Sequence, residues 1–307
     1  MASRGMTWTR ISASTAVTGS RSRALAWPPY QRPGASWTGR RRNRRPTPAN
    51  APHRVKLIDG ALALDALEAT MLFRQLFDTT SSTYTYLLGD EEQGTALLID
   101  PVAEKLDRDL TLLRELGLSL THALDTHVHA DHVTASGLLR ARTGAKVVSG
   151  ITGAPCADIH VKHGDTLRAG TFTLQVLATP GHTDDSVSYL LGDRVFTGDA
   201  LLIRGNGRTD FQNGNAGTLY DSITQVLFAL PDETLVYPAH DYRGLTVTTI
   251  GEEKRHNPRV AGRSRDGFIQ LMNNLGLPKP KLIDVAVPAN RACGLTAPVR
   301  ARGSFTH

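Results

Sequence analysis

Cysteine is nearly absent: Cys156 and Cys293 are the only two in 307 residues. That excludes a disulfide framework of the kind that staples small secreted domains, and it excludes cysteine-based zinc ribbons and iron–sulfur motifs. The scarcity fits a reducing compartment, with Cys293 read first as a small packing residue and second as a redox-sensitive thiol, and Cys156 given no role. No apolar run approaches the roughly 20 residues of a membrane-spanning helix, so no membrane partner is expected. Acids and lysine are missing altogether from residues 1–54, which hold eleven Arg, all three Trp and six of the sixteen Pro. This segment carries +11 while the whole chain carries +6, so residues 55–307 hold 24 basic and 29 acidic residues, a net −5. The basic balance belongs to the extension, and no nucleic-acid surface is expected on the folded body.

Composition divides the chain near residue 54, after an Arg/Pro-rich disordered extension (1–54); a linker (55–70), a folded body (71–294) and a flexible tail (295–307) are expected to follow. Arg without acids, among Ser and Thr, is the composition of an organelle transit peptide. The competing reading is an over-called start upstream of Met71, where the first sheet-like segment begins. The first reading implies the mitochondrial matrix, the second the cytoplasm.

After Met71 the pattern is one of short strands at 71–77, 84–88 and 95–99, punctuated by Gly89-Asp90 and Gly94. Leu106, Leu110, Leu113 and Leu116 recur at steps of three and four before Gly117, which predicts an amphipathic helix over 103–116. A strand at 120–126, a helix around 132–142 and a strand at 146–149 follow. Next come a hairpin through 166–181, the strands VSYLLG and RVFTGD, a helix near 217–230, the strand TLVYP and a helix around 264–275. This mixed order predicts an α/β sandwich, two sheets with helices on their outer faces.

The chemistry concentrates where strands end. His127, His129 and His132 with Asp131 lie within six residues after the strand at 120–126, His127 and His129 converging while Asp131 and His132 begin the next helix. The strand LQVLA leads through Thr179-Pro180-Gly181 to His182; VFTG leads to Asp199; LVYPA leads to His240. Neutral imidazoles and carboxylates are the usual ligands of zinc and iron, and strand-end loops can bring them to one edge of a rigid scaffold.

HxHxDH, TPGHT, TGD and PAHD, in this order, resemble the motif set of the metallo-β-lactamase superfamily, which implies an αββα four-layer sandwich. More narrowly, TGDALLIRGNGRTDFQNG (197–214), YPAHDYRGLTVTTIGEEKRHNPRV (237–260) and LPKPKLIDVAVPAN (277–290) are similar to the persulfide dioxygenase branch. The resemblance covers roughly 71–294. It implies one Fe(II) per chain held by His127, His182 and Asp199, with His129, Asp131, His132 and His240 acting catalytically around it. It further implies oxidation of the outer sulfur of glutathione persulfide by O2 and water to sulfite and glutathione, and a homodimer as the usual assembly. Two-His, one-carboxylate ligation leaves positions open for substrate and dioxygen together.

Arg208 is the first candidate to bind a glutathione carboxylate, with Arg259 and Tyr242 behind it; Asp210 is placed to take the Arg208 fork instead. Asn206 stands where some relatives carry Cys. His122, His160, His163 and His256 lack a strand-end context and read as ordinary histidines. Ligand types alone do not choose one iron over two zincs, so a dizinc hydroxyacylglutathione hydrolase of the glyoxalase II kind remains the alternative. Only 67 residues follow His240, little room for the helical substrate domain that such hydrolases append.

Overall fold

The computed structural model of the chain describes residues 71–295. The expected extension, linker and, apart from Leu295, tail lie outside them.

Period-two alternation decides the layering. In β1 (Met71–Asp78), β2 (Thr83–Asp90), β3 (Thr95–Ile99) and β4 (Ser119–Leu124), the side chains Tyr84, Tyr86, Leu88, Leu97, Ile99 and Leu124 enter one core. Their neighbours Leu72, Leu87, Ala96, Leu98 and Ala123 enter a different one. β5 (Lys146–Gly150) and β6 (Ile159–Val161) complete a six-stranded sheet in the order β1-β2-β3-β4-β5-β6. Its outer face is covered by α1 (Leu106–Glu115) and α2 (Ser136–Thr143), through Leu113 and Leu139.

The second sheet runs β12-β11-β10-β9-β8-β7. Its strands are β7 (Thr166–Ala169), β8 (Phe172–Ala178), β9 (Val187–Leu191), β10 (Arg194–Gly198), β11 (Leu235–Pro238) and β12 (Thr248–Thr249). Phe196 and Tyr237 turn inward against the first sheet. Val195 and Val236 turn outward onto α3 (Ala216–Asp221), α4 (Ile250–His256) and α5 (Arg265–Asn273), meeting Leu219, Ile250 and Phe268. Each fully buried Leu or Phe contributes roughly 1.5–3 kcal/mol relative to exposure. Helix, sheet, sheet, helix is the αββα sandwich the sequence predicts.

Strand direction gathers the site. β8 and β10 are each antiparallel to β9, and β10 is parallel to β11, so β8, β10 and β11 end at the same edge. β4 ends there too: the carbonyl of Thr126 accepts from Val187 N, at the start of β9, at 2.9 Å. Tyr84 N donates to the Ala239 carbonyl (2.7 Å) and the Tyr86 hydroxyl to that of Pro238 (2.6 Å), which ties the two sheets at this edge.

The structure corrects several expectations. Asp131 and His132 do not begin a helix; they sit in a loop, and α2 starts at Ser136. The helix near 217–230 divides into α3, a π turn (Ser222–Val226) and a 3-10 turn (Leu227–Ala229). β6, β12, α4 and α6 (Ile283–Asn290) were not expected. For α4 a signal existed: Thr249 accepts from Glu252 N in the Ser/Thr-x-x-Glu pattern that starts helices. Cys156 and Cys293, read as unpaired, form a disulfide across 137 positions, a separation at which spacing gives no cue.

Candidate metal centre

Among the described residues two groups of candidate ligand atoms meet at the shared edge, beside a third made of Asp100, Asp125 and His129. His127, His182 and Asp199 form one, and His129, Asp131, His132 and His240 the other; within each group the ligand atoms lie within 4.8 Å of one another. The four histidines and two carboxylates foreseen at strand ends, with His132 beside them, are thus brought together. The two groups touch: the His127 and His129 rings are 4.0 Å apart between centroids, and His240 Nδ1 lies 2.6 Å from Asp199 Oδ1.

Hydrogen bonds behind the rings fix which nitrogen faces the cluster. His182 Nδ1 donates to the Arg208 carbonyl at 2.7 Å, so Nε2 keeps its lone pair, 3.6 Å from Asp199 Oδ2. Asp100 orders two others. Its Oδ2 accepts the Thr126 hydroxyl proton (2.9 Å), so Thr126 Oγ1 accepts from His127 Nδ1 (3.0 Å) and His127 Nε2 is left free. Its Oδ1 accepts from Thr126 N (2.7 Å) and from His129 Nε2 (3.1 Å), which turns His129 Nδ1 toward the cluster. His132 Nδ1 faces Asp131 Oδ2 and Thr83 Oγ1, each at 3.3 Å.

The donor set fits a cation. His129 Nδ1 and His132 Nε2 are buried without a partner, and a buried unpaired acceptor is costly unless something fills it. Burial, then the neighbouring imidazoles His129 and His182, holds His127 well below the usual histidine range, in the neutral form a metal needs. Burial opposes the charge on Asp199, yet His240, His182 and His127 hold its carboxyl well below the ordinary range. Burial likewise opposes the charge on His240, but Asp131 and Asp199, at 2.8 and 2.6 Å on its two nitrogens, raise it well above.

A cavity of about 970 Å³ opens over His182, Asp199 and His240, walled by residues 202–208 and by the apolar rim of Leu277, Pro278 and Leu282. The three candidate substrate residues line it but differ in state. Arg208 commits its fork to Asp210 (2.6 and 2.7 Å) and two further N–H groups to the carbonyls of Pro278 and Leu277. Arg259 donates to the Asn206 carbonyl at 2.6 Å and pairs with no carboxylate among the described residues. Tyr242 is exposed and stacks on His240, 6.2 Å between centroids with planes 3° apart.

Sequence reading missed the residues that hold the ligands. Asp100 had a legible signal, since TALLID is again a strand ending in a carboxylate. Asn290 had none: it comes from α6, about 160 residues away, and donates to the carbonyls of His129 (2.9 Å) and His132 (2.8 Å) while accepting from Thr134 N (2.8 Å). Asn290→Ala would strand three buried backbone groups, and a loss of about 3 kcal/mol is expected. Urea denaturation measures it; a change below about 1 kcal/mol would remove Asn290 from the loop's support.

An αββα sandwich with histidines and aspartates converging at one edge defines a class. The chain is a member of the metallo-β-lactamase superfamily, whose family model matches residues 78–155 and 158–240. It is 53% identical over 234 residues to "Persulfide dioxygenase ETHE1, mitochondrial" of Homo sapiens, covering 75% of this chain and 91% of that one. The crystal structure of ETHE1 from Myxococcus xanthus superposes with a TM-score of 0.73 at 72% identity, over 73% of this chain and all of that one. A hydroxyacylglutathione hydrolase of Polaromonas is 37% identical over 169 residues, 52% of this chain and 62% of the relative. Within the superfamily, the chain belongs to the persulfide dioxygenase family.

Proposed function

We propose that this chain is a glutathione persulfide dioxygenase with one Fe(II), held by His127, His182 and Asp199. The net reaction takes glutathione persulfide, O2 and water to glutathione and sulfite: the S–S bond breaks, and the outer sulfur gains three oxygens. The observation that carries the reading is a two-imidazole, one-carboxylate group whose His182 and Asp199 line a cavity of about 970 Å³, in a chain so similar to persulfide dioxygenases. Iron bound there supplies the Lewis acidity and redox capacity that sulfur oxygenation needs.

The chain's own residues do the rest. The Arg208 carbonyl and the Asp100–Thr126 pair keep His182 and His127 in the ligating tautomer. Asp131 and His240 line the approach as hydrogen-bonding groups, with His129 and His132 buried behind them and His240 bridging Asp131 and Asp199. The rim of Leu277 and Leu282 covers the cavity with apolar surface.

For carboxylate recognition, the uncommitted charge of Arg259 stands ahead of Arg208, whose fork is already neutralised by Asp210. Arg259→Ala is expected to raise KM for glutathione persulfide roughly tenfold, the worth of one charge-assisted hydrogen bond, with kcat little changed. Arg208→Ala acts instead through the 277–278 segment and lowers stability. Steady-state kinetics with thermal melts of both variants separates the two; an unchanged KM for Arg259→Ala removes it from the substrate site.

The second reading, a dizinc acylglutathione hydrolase, is favoured by the complete His129, Asp131, His132, His240 group. Metal analysis with oxygen uptake on glutathione persulfide decides. One iron per chain and sulfite formation support the dioxygenase; two zincs and thioester cleavage without oxygen uptake overturn it. The N-terminus of the endogenous protein assigns the compartment: a start near Met71 implies the cytoplasm, cleavage within the Arg-rich segment the matrix.

A further inference from the structure

We propose that the Cys156–Cys293 disulfide is a thiol-exchange site, at which a low-molecular-weight thiol opens the bond from the Cys156 side and thereby loosens the histidine loop's hold on its metal. The inference rests on the cluster holding a metal, and not on which reaction that metal supports.

The two sulfurs are unequally placed. Cys293 is fully buried, packed with Val147 and Ala154, whereas Cys156 is partly exposed in the loop between β5 and β6. Exchange requires a thiolate to approach a sulfur in line with the bond it breaks, and access selects which sulfur is attacked. Only Cys156 offers that approach. The incoming thiolate forms a mixed disulfide with Cys156, the original bond breaks, and Cys293 leaves as a thiolate that takes up a proton. A second thiol then releases Cys156 and carries the disulfide away, so two thiols are oxidised and one protein disulfide is reduced.

The released segment supports the metal loop. The Cys293 carbonyl accepts from Gly137 N at 2.8 Å, at the start of α2. That approach is close enough that a Cβ on Gly137 would lie 2.4 Å from the Cys293 oxygen. Three residues earlier, Asn290 holds the carbonyls of His129 and His132 and the amide of Thr134. The disulfide fastens this end of the chain to the β5–β6 loop. Once it opens, the Asn290 contacts rest on the Gly137–Cys293 backbone bond and on the packing of α6, a helix whose Val285 is exposed and which contains Pro288. Outer contacts of this sort set how firmly ligands hold a metal.

The test uses the full-length chain, purified without reductant and loaded with zinc so that oxygen chemistry plays no part. Expected results are no free thiols after denaturation, and, after brief exposure to glutathione, an adduct on Cys156 and none on Cys293 by peptide mass spectrometry. Fully reduced, alkylated protein is expected to pass zinc to a chromogenic chelator roughly tenfold faster than the oxidised form, the scale of losing an outer contact. The Cys156→Ser variant should release at the fast rate with or without glutathione. If that variant does not fold, the comparison of oxidised and reduced wild type stands by itself, with circular dichroism confirming that both are folded. Two free thiols in the untreated protein, an adduct confined to Cys293, or equal release rates would each overturn the proposal. A failure here leaves the dioxygenase reading intact, because that reading is decided by iron content and oxygen uptake.

Discussion

Asp199→Ala protein is expected to be isolated with little metal and to lose turnover at least about 100-fold, beyond the range found for mere outer-shell changes. The reason lies in the charge of the set. Asp199 is the single carboxylate beside His127 and His182, and two neutral imidazoles give a divalent cation no compensating negative charge. Its removal also leaves His240 Nδ1 without the partner now 2.6 Å away. Asp199→Asn keeps the volume and a single ligating oxygen while removing the charge, so it tests charge against shape. Metal content by plasma emission, measured beside the melting profile, is the readout. Retention of a full equivalent of metal by the alanine variant would show that the ion sits in the other group, with His129, Asp131, His132 and His240.

The second large effect is structural. Gly181→Ala is expected to destabilise the fold by more than about 3 kcal/mol and to disorder His182. Gly181 has φ +127°, and a Cβ there would lie 2.3 Å from the Leu219 amide nitrogen and 2.4 Å from its Cα. Leu219 is fully buried in the outer core of the second sheet, so α3 cannot yield without opening that core. The glycine is therefore what lets the turn carry His182 so close to the helix. Gly244→Ala is the comparison: its φ is +82°, but nothing lies within 4 Å of an added Cβ. Left-handed strain alone, about 1–2 kcal/mol, is expected there. Urea midpoints and metal content of the two variants separate clash from strain. Equal, small losses in both would mean that the turn is not pinned against α3.

Much of this site was legible because ligands at strand ends leave a local mark: an alternating apolar run, a turn residue, then His or Asp. His127, His182, Asp199 and His240 all carry that mark, and the layered fold follows from alternation that is equally local. Asp100 carries it as well, but a single aspartate after a strand acquires its meaning only when Thr126 and His129 converge on it. The commitment of Arg208 to Asp210 and to the carbonyls at 277–278 depends on where a distant segment docks, while the open charge of Arg259 depends on which acids fail to reach it.

The sequence by itself determined that two sheets lie between outer helices, without β6, β12, α4 and α6, and it gave the inventory of candidate metal-ligating side chains, since each of these depends on residues that are neighbours along the chain. Only the tertiary structure decided which nitrogen each imidazole turns to the cluster, that Asn290 braces the histidine loop, and that Cys156 meets Cys293. These are contacts between segments up to about 160 residues apart, created by strands ending at one edge and by a last helix folding back on it. Hydrogen-bond direction and sulfur pairing depend on distances of a few ångströms, which exist only once the sheets have packed.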